Sequence, residues 1–413
     1  MGREVAEMTS NTGAETTAKR VRLRELIPDI KLGKWERTGP KNGITDVRGV
    51  LVHTESIHDK KKGINTGVTT ILPRKEWMEK ACYAGVFRYN GSGELTGSHW
   101  LDETGLLSSP IVISNSFAVG ACHTGIYQYA ADHYRNKKGD VDWFLMPVVG
   151  ETYDGMLNDL SQFAVTPEHV VRGIEKASSD PVPEGNTGGG TAMSCQGFKA
   201  GTGTSSRVVP GKDKDGKEKE YTVAALVQAN YGRMFSLTIA GAPVGRILRE
   251  EKLRNAAARK ALEEYEVSKS AKDGSIIIVI ATDAPLTAVE LQRLARRATR
   301  GVSRVGGYGY NTSGDIFMAF STGTEAPGQF PTEDIRSDMI EILQHQAVDE
   351  RNMDGLMEAA GEATEEAILN SLCMAETMTG FRGRTIEAMP LDEVKNIVQK
   401  HIDLEKELTK PKD

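Results

Sequence analysis

The pair Gly274–Ser275 joins two unlike parts of the chain and is a candidate reactive bond. Residues 267–272 are polar, whereas the run from Ser275 to Ala281 is intensely apolar. Glycine tolerates strained backbone dihedrals, and a serine hydroxyl can attack the carbonyl before it to give an ester that water cleaves. The released serine would carry an α-amine of pKa about 7.7–8, which can act as a base toward its own hydroxyl. Taken alone, a plain loop that ends at a strand is the better explanation of so common a dipeptide.

Ser313 and Asp315 stand where another predicted strand, residues 315–320, begins. A carboxylate two residues from a hydroxyl can orient that hydroxyl and stabilise positive charge beside it. Asn230 follows the predicted strand 223–227, and its amide is a neutral donor suited to an oxyanion hole. Taken alone, a simple turn is the better explanation of each of these positions.

Glu151 and Tyr153 are expected just past a short predicted strand, residues 144–149. A carboxylate at such a strand end could hold a substrate ammonium group, and a phenol could donate a hydrogen bond to an oxyanion. A polar loop without function is the alternative explanation for this stretch.

The elements that must position these residues are short strands mixed with longer helices. The run from Ser275 to Ala281 shows no alternation, so both of its faces should be buried. Thr287 to Glu290 forms a capping box that begins a helix. Strands and helices do not alternate as βαβ units, which argues against a Rossmann sheet and favours stacked sheets between helical layers. Other predicted strands are 49–53, 66–72, 81–89 and 110–114, residues 211–220 form an exposed hairpin loop, and predicted helices are 120–135, 167–178, 248–266, most of 331–380 and 391–402.

Composition narrows the class of protein. The chain has 413 residues and a net charge of −6, with a pI of about 5.9 and no basic stripe, so nucleic acid is not an expected partner. The four cysteines lie far apart without metal-site spacing, which predicts buried thiols outside disulfides and no metal or other cofactor. Residues 1–22 are predicted to be a disordered tail, and no signal-peptide or membrane-length apolar run is present, so a cytoplasmic protein is expected.

Taken together, the stretches around these residues resemble the DmpA-like aminopeptidases, also called L-aminopeptidase/D-esterases or β-peptidyl aminopeptidases, of peptidase family S58. The resemblance extends over about residues 25–390, and the order and spacing of its blocks make it specific. The matching blocks are 42–47, 65–69, 90–97, 147–155, 185–190, 227–232, 273–285 and 313–323.

The resemblance implies a role for each candidate residue. Gly274–Ser275 corresponds to the family's self-cleavage site, with Ser275 as nucleophile and Ser313 and Asp315 as its supporting serine and acid. The oxyanion-hole pair corresponds to Asn230 and Tyr153, and the residue that binds the substrate's free amino group corresponds to Glu151. Some relatives carry Glu at the position of Asp315.

The resemblance also implies a fold and an assembly. The expected fold is a four-layer αββα sandwich of the α+β class, like that of N-terminal-nucleophile hydrolases but with different connectivity. Residues 23–413 would form one catalytic domain, cut into an α chain ending at residue 274 and a β chain of residues 275–413. The cut pairs are expected to assemble further into a homo-oligomer, a tetramer of α/β pairs.

Three functions remain open from the sequence. The first is a self-processed serine aminopeptidase or amidase acting on short peptides, amino-acid amides or esters without a cofactor. The second is an acyltransferase like the ornithine acetyltransferases, although these usually expose Thr rather than Ser after cleavage. The third is an uncleaved scaffold, which the joint presence of Ser275, Ser313, Asp315 and Asn230 disfavours. Whether the α-amine of Ser275 or the Ser313–Asp315 pair takes the hydroxyl proton is also open.

Overall fold

The structure, a computed structural model, describes residues 19–254, 259–260, 274–332, 340 and 342–410. Its longer strands form two sheets, and its helices cover them. The strands are β1 (Leu51–Asp59), β2 (Ile64–Leu72), β3 (Lys80–Arg88), β4 (Leu106–Leu107), β5 (Ile111–Asn115), β6 (Val148–Thr152), β7 (Ser194–Cys195), β8 (Phe198–Lys199), β9 (Thr202–Lys212), β10 (Glu218–Asn230), β11 (Ser275–Thr282), β12 (Asp315–Pro327), β13 (Met378–Thr379) and β14 (Thr385–Ile386). The helices are α1 (Leu23–Leu26), α2 (Ser98–Thr104), α3 (Val119–His133), α4 (Pro167–Lys176), α5 (Val244–Arg254), α6 (Ala288–Arg296), α7 (Ala298–Arg304), α8 (Asp354–Cys373) and α9 (Leu391–Leu408).

One sheet has the strand order β1-β2-β5-β6, and the other has the order β4-β3-β12-β11-β10-β9. Strand β11 lies inside the larger sheet, antiparallel to β10 and parallel to β12. All eight of its residues are buried, as the unbroken apolar run predicts. Because side chains alternate along a strand, Ile276, Ile278 and Ile280 join one core while Ile277 and Val279 join another.

These cores separate four layers. The core that contains Ile277 also holds Ile71 and Ile113 of the smaller sheet, so the two sheets face each other. The core that contains Ile278 is closed by α6, α7 and α8, on the outer face of the larger sheet. Helices α3 and α4 cover the outer face of the smaller sheet through Ile126 and Val170. The predicted αββα sandwich is therefore confirmed.

Helix α8 lies almost wholly inside the protein and carries buried acidic residues. Glu366 bonds to the fully buried Arg207 at 2.7 Å and to Arg24 at 2.8 Å. Burial acts to raise the pKa of Glu366, but these two cations hold it below its ordinary value. Ala363, Ala367 and Ile368 of this helix belong to the core, and its acids bond it to β9 and to the N-terminal segment.

Several predicted boundaries are wrong. Strand β6 begins at Val148 instead of residue 144, so Glu151 lies inside the strand, and β10 continues to Asn230. Residues 342–349, expected to be helical, form no helix; the Val348 N–H bonds to the Pro285 carbonyl instead of to a helical turn. The hairpin loop predicted at 211–220 is a tight turn at 213–217 between β9 and β10.

Other predictions fall partly outside the described residues. Helix α5 begins at Val244, before the predicted residue 248, and most of the remainder to residue 266 is not described. The predicted tail is described only from residue 19, where Arg20 donates hydrogen bonds to the carbonyls of Leu372, Cys373 and Met389. Within the described ranges, no helix is long and apolar enough to cross a membrane, and no cluster of His, Cys, Asp and Glu is arranged to hold a metal. All four cysteines are described and buried, and none forms a disulfide.

Candidate active site

The pairing of three strands brings the candidate nucleophile and its neighbours together. Ser275 is the first residue of β11 and pairs with Asn230, the last residue of β10. On the other side, Ile276 pairs with Asp315, the first residue of β12. Residues that are distant in the sequence therefore meet at one end of the larger sheet, where they are buried.

Gly274 is held against the main chain of β10. A Cβ added at Gly274 would stand 1.5 Å from the carbonyl oxygen of Asn230, a distance no side chain can occupy. The need for glycine here comes from this close approach of two backbones. The peptide bond between Gly274 and Ser275 is therefore fixed in position beside the end of β10.

The hydroxyl groups of Ser275 and Ser313 are both held by hydrogen bonds near this bond. The Gly314 N–H donates to the Ser275 Oγ at 3.0 Å. The Ser313 Oγ makes hydrogen bonds to the Gly274 carbonyl and, at 2.7 Å, to the Asp315 carboxylate. One hydroxyl has a single proton. Ser313 can therefore donate fully to the Gly274 carbonyl only when it does not donate to the Asp315 carboxylate.

Asp315 is buried, and its ionisation is correspondingly costly. Burial raises the pKa of Asp315 to about 6, while hydrogen bonds from Ser313, Ile276 and Asn90 act to lower it. The Asn90 Oδ1 accepts from the Asp315 N–H at 2.9 Å, and its Nδ2 donates to the Tyr310 carbonyl at 3.0 Å. A carboxyl that titrates near neutral pH is suited to proton transfer.

Asn230 is oriented by main-chain groups on both sides of its amide. Its Oδ1 accepts from the Ser194 N–H at 3.1 Å, and its Nδ2 donates to the Tyr153 carbonyl at 2.8 Å. The Tyr153 phenol lies over its own loop, because a Cβ added at Gly155 would stand 2.4 Å from the phenol oxygen. The structure thus joins Asn230 to Tyr153 through the main chain of Tyr153.

Glu151 forms the other side of the site. Its Oε1 accepts from the Glu94 N–H at 3.1 Å, and its Oε2 accepts from the Ser116 hydroxyl. Burial raises the pKa of Glu151 despite these bonds. Gly93 lies between this carboxylate and the loop that precedes β12: a Cβ at Gly93 would be 3.2 Å from Glu151 and 3.0 Å from Gly314.

Sequence reasoning assigned no role to several groups that the structure places here. Asn90 and Ser116 bond to Asp315 and Glu151, and the Gly314 and Ser194 N–H groups bond to Ser275 and Asn230. The stretch around Asn90 was part of the family pattern, which is a signal that this loop belongs to the site. Main-chain donors carry no such signal, since any residue supplies an N–H.

The chain is similar in sequence and in fold to known proteins. A family model described as peptidase family S58 matches residues 42–386. A β-peptidyl aminopeptidase BapA of Sphingosinicella microcystinivorans is 42% identical over 372 residues, which is 88% of this chain and 89% of that protein. A β-aminopeptidase from Burkholderia sp. has a TM-score of 0.78 and 37% identity, covering 92% of this chain and 99% of that one.

A further solved structure is the L-aminopeptidase D-Ala-esterase/amidase from Ochrobactrum anthropi, described as a prototype of the serine aminopeptidases with a variant of the Ntn-hydrolase fold. Its TM-score is 0.77 at 38% identity, over 92% of this chain and 98% of that one. The similarity to these proteins in fold and in sequence therefore extends over most of the length of the chain.

The buried Asp315 carboxyl should lower the free energy of unfolding when it is ionised. Asp315→Asn should stabilise the fold by about 1–3 kcal/mol at pH 8, because a carboxyl with its pKa raised to about 6 is costly to ionise. The wild-type chain loses this stability as pH rises from about 4 through 6, so the advantage of the variant should vanish below pH 4. Urea denaturation at pH 4 and pH 8 measures the difference in free energy of unfolding. Both proteins, with and without Asp315→Asn, carry Ser275→Ala for this comparison. An equal advantage at pH 4 and pH 8 would contradict the assigned burial of the charge.

Proposed function

The chain belongs to peptidase family S58 and is a serine aminopeptidase; we propose that it activates itself by breaking the Gly274–Ser275 bond and then uses Ser275 as its nucleophile. The observation that carries the proposal is the position of that bond. Its carbonyl bonds to Ser313, while the Ser275 hydroxyl is held by the Gly314 N–H. The relatives described above bear aminopeptidase names and lend no support to the acyltransferase alternative.

Self-cleavage proceeds in two steps. The Ser275 Oγ attacks the Gly274 carbonyl carbon, the C–N bond breaks, and the proton lost by the Ser275 hydroxyl passes to the Ser275 nitrogen, which becomes an α-amine. Ser313 polarises the carbonyl during the attack, and protonated Asp315 leaves the Ser313 proton available for that purpose. Water then hydrolyses the ester, leaving Gly274 as a carboxylate and Ser275 as a new N-terminus.

Substrate hydrolysis repeats this chemistry on another acyl group. The Ser275 α-amine takes the hydroxyl proton, the Oγ attacks the substrate carbonyl, and the proton passes to the leaving amine or alcohol. Asn230 and Tyr153 stabilise the oxyanion, and water releases the acyl group from Ser275. We assign the base role to the α-amine, because it belongs to the same residue as the hydroxyl that it deprotonates.

The substrate carries a free amino group, bound by Glu151. This carboxylate is buried and held by the Ser116 hydroxyl and the Glu94 N–H, so it can offer a rigid acceptor to an ammonium ion. Gly93 packs closely against both Glu151 and Gly314, and the Gly314 N–H donates to the Ser275 Oγ, so the carboxylate and the Ser275 hydroxyl belong to one site. The substrates are short peptides, amino-acid amides or esters.

The proposal also covers the domain organisation, the assembly and the cellular location of the protein. We propose one catalytic domain over residues 23–413, an α chain to residue 274 and a β chain from 275, assembled as a homo-oligomer. Exposed apolar side chains on α5 and α9 (Ile247, Leu404 and Leu408) are consistent with an interface. The four buried thiols fit a reducing compartment such as the cytoplasm.

Gly274→Ala should block processing. An added Cβ would overlap the Asn230 carbonyl oxygen and displace the Gly274 carbonyl from the hydroxyl groups of Ser275 and Ser313. On denaturing gels the variant should accumulate full-length chain, with at least about a tenfold slower cleavage. The matched control is Gly120→Ala on helix α3, where an added Cβ meets no atom within 4 Å and processing should stay normal. Normal processing of Gly274→Ala would show that the close approach does not position the bond.

Glu151→Gln should weaken binding of substrates with a free amine. The amide keeps the size of the side chain but removes the charge, so kcat/KM should fall by about tenfold to a hundredfold. The readout compares an amino-acid p-nitroanilide with its N-acetylated form, for the wild type and the variant. The wild type should strongly prefer the free amine, and the variant should lose most of that preference. An unchanged preference would remove the anchor role of Glu151.

A further inference from the structure

Asp154 is a buried carboxyl that the proposed chemistry does not use. It is 1% exposed and follows Tyr153 directly. Its Oδ2 accepts from the Thr66 hydroxyl at 2.7 Å, and its Oδ1 accepts from the Asn158 amide at 3.0 Å. Because the Thr66 oxygen already accepts from the Asn115 amide at 2.8 Å, the Thr66 proton is directed to Asp154.

These bonds fasten the loop after β6 to strand β2. The Asp154 carbonyl also accepts from the N–H groups of Leu157 and Asn158, each at 3.1 Å, which closes the loop on itself. One peptide unit away, the Tyr153 carbonyl accepts from the Asn230 amide at 2.8 Å. Asn230 in turn pairs with Ser275 across the sheet. A continuous chain of contacts thus runs from Thr66 to the nucleophile.

We propose that Asp154 is a positioning residue whose charged carboxylate holds the Tyr153 carbonyl, and through it the Asn230 amide, beside Ser275. Protonation of Asp154 would replace an acceptor by an O–H group facing a donor, loosening the loop and reducing turnover. The inference rests on the proposed function, in which Asn230 stabilises the oxyanion.

The surroundings of Asp154 bring its titration close to neutral pH. Burial raises the pKa of Asp154 to about 7, the bonds from Asn158 and Thr66 lower it, and the charge of Glu151 raises it further. Two other charged or titratable groups reach the neighbouring main chain and side chains. His58 bonds to Asn65 on β2, and Arg384 donates to the Gly155 and Met156 carbonyls. Activity should therefore be high above pH 7 and decline as pH falls through about 7.

The test is the pH profile of kcat for Thr66→Val. Valine keeps the shape of threonine but removes the donor that favours the charged Asp154, so the acid limb of the profile should move up by about one pH unit. The control is Thr70→Val on the same strand, since the Thr70 hydroxyl is buried and has no hydrogen-bond partner among the described residues. The Ser275 amine and Asp315 titrate alike in both variants, so a difference between them reports on Asp154.

Asp154→Asn gives the second measurement. Its amide imitates the protonated carboxyl, so kcat on an amino-acid p-nitroanilide should fall about tenfold with KM within about twofold. The part of the acid limb near pH 7 should disappear. The inference is overturned if Thr66→Val and Thr70→Val have the same acid limb, or if Asp154→Asn keeps the wild-type kcat and profile. Absence of activity in the wild-type enzyme would instead overturn the proposed function.

Discussion

The close approach of Gly274 to the carbonyl of Asn230 is the constraint on which the site depends. It exists because β11 pairs with β10 from its first residue, which leaves the preceding residue no space for a side chain. The same pairing sets Ser275 opposite Asn230 and, through β12, sets Asp315 beside Ile276. A shift of one residue in this register would turn every side chain of β11 to the opposite face. The two apolar cores on either side of β11 therefore fix the position of Ser275 together with the fold.

Around this rigid frame the protein buries carboxyl groups that would be more stable in water. Burial raises the pKa values of Glu151, Asp154 and Asp315. Glu366 is also buried, but Arg207 and Arg24 lower its pKa, so burial alone does not determine the charge state. Among the described residues, the hydrogen bonds to Glu151, Asp154 and Asp315 come from neutral hydroxyl, amide and main-chain donors. Such buried acids reduce stability and are concentrated where proton transfer or recognition is needed.

Much of this arrangement was accessible from the sequence. The unbroken apolar run of β11 predicted a strand buried on both faces, and the capping box at Thr287 correctly marked the start of α6. Boundaries failed where tertiary contacts decide them: β6 and β10 continue through residues expected in loops, because neighbouring strands supply partners for their main chains. The assigned residues of the site came from family resemblance. The contacts of Asn90, Ser116 and Asp154 needed coordinates, because nothing in the spacing of these residues indicates which group each one contacts.

Self-cleavage at Gly274–Ser275 is tested most directly by denaturing mass spectrometry of the purified wild-type protein beside its Ser275→Ala variant. The wild type should give two chains, one ending at Gly274 and the other beginning with Ser275, and the variant should give one full-length chain. A wild-type chain that stays intact through prolonged incubation, or a Ser275→Ala chain that is cut at the same bond, would rule out self-cleavage by Ser275.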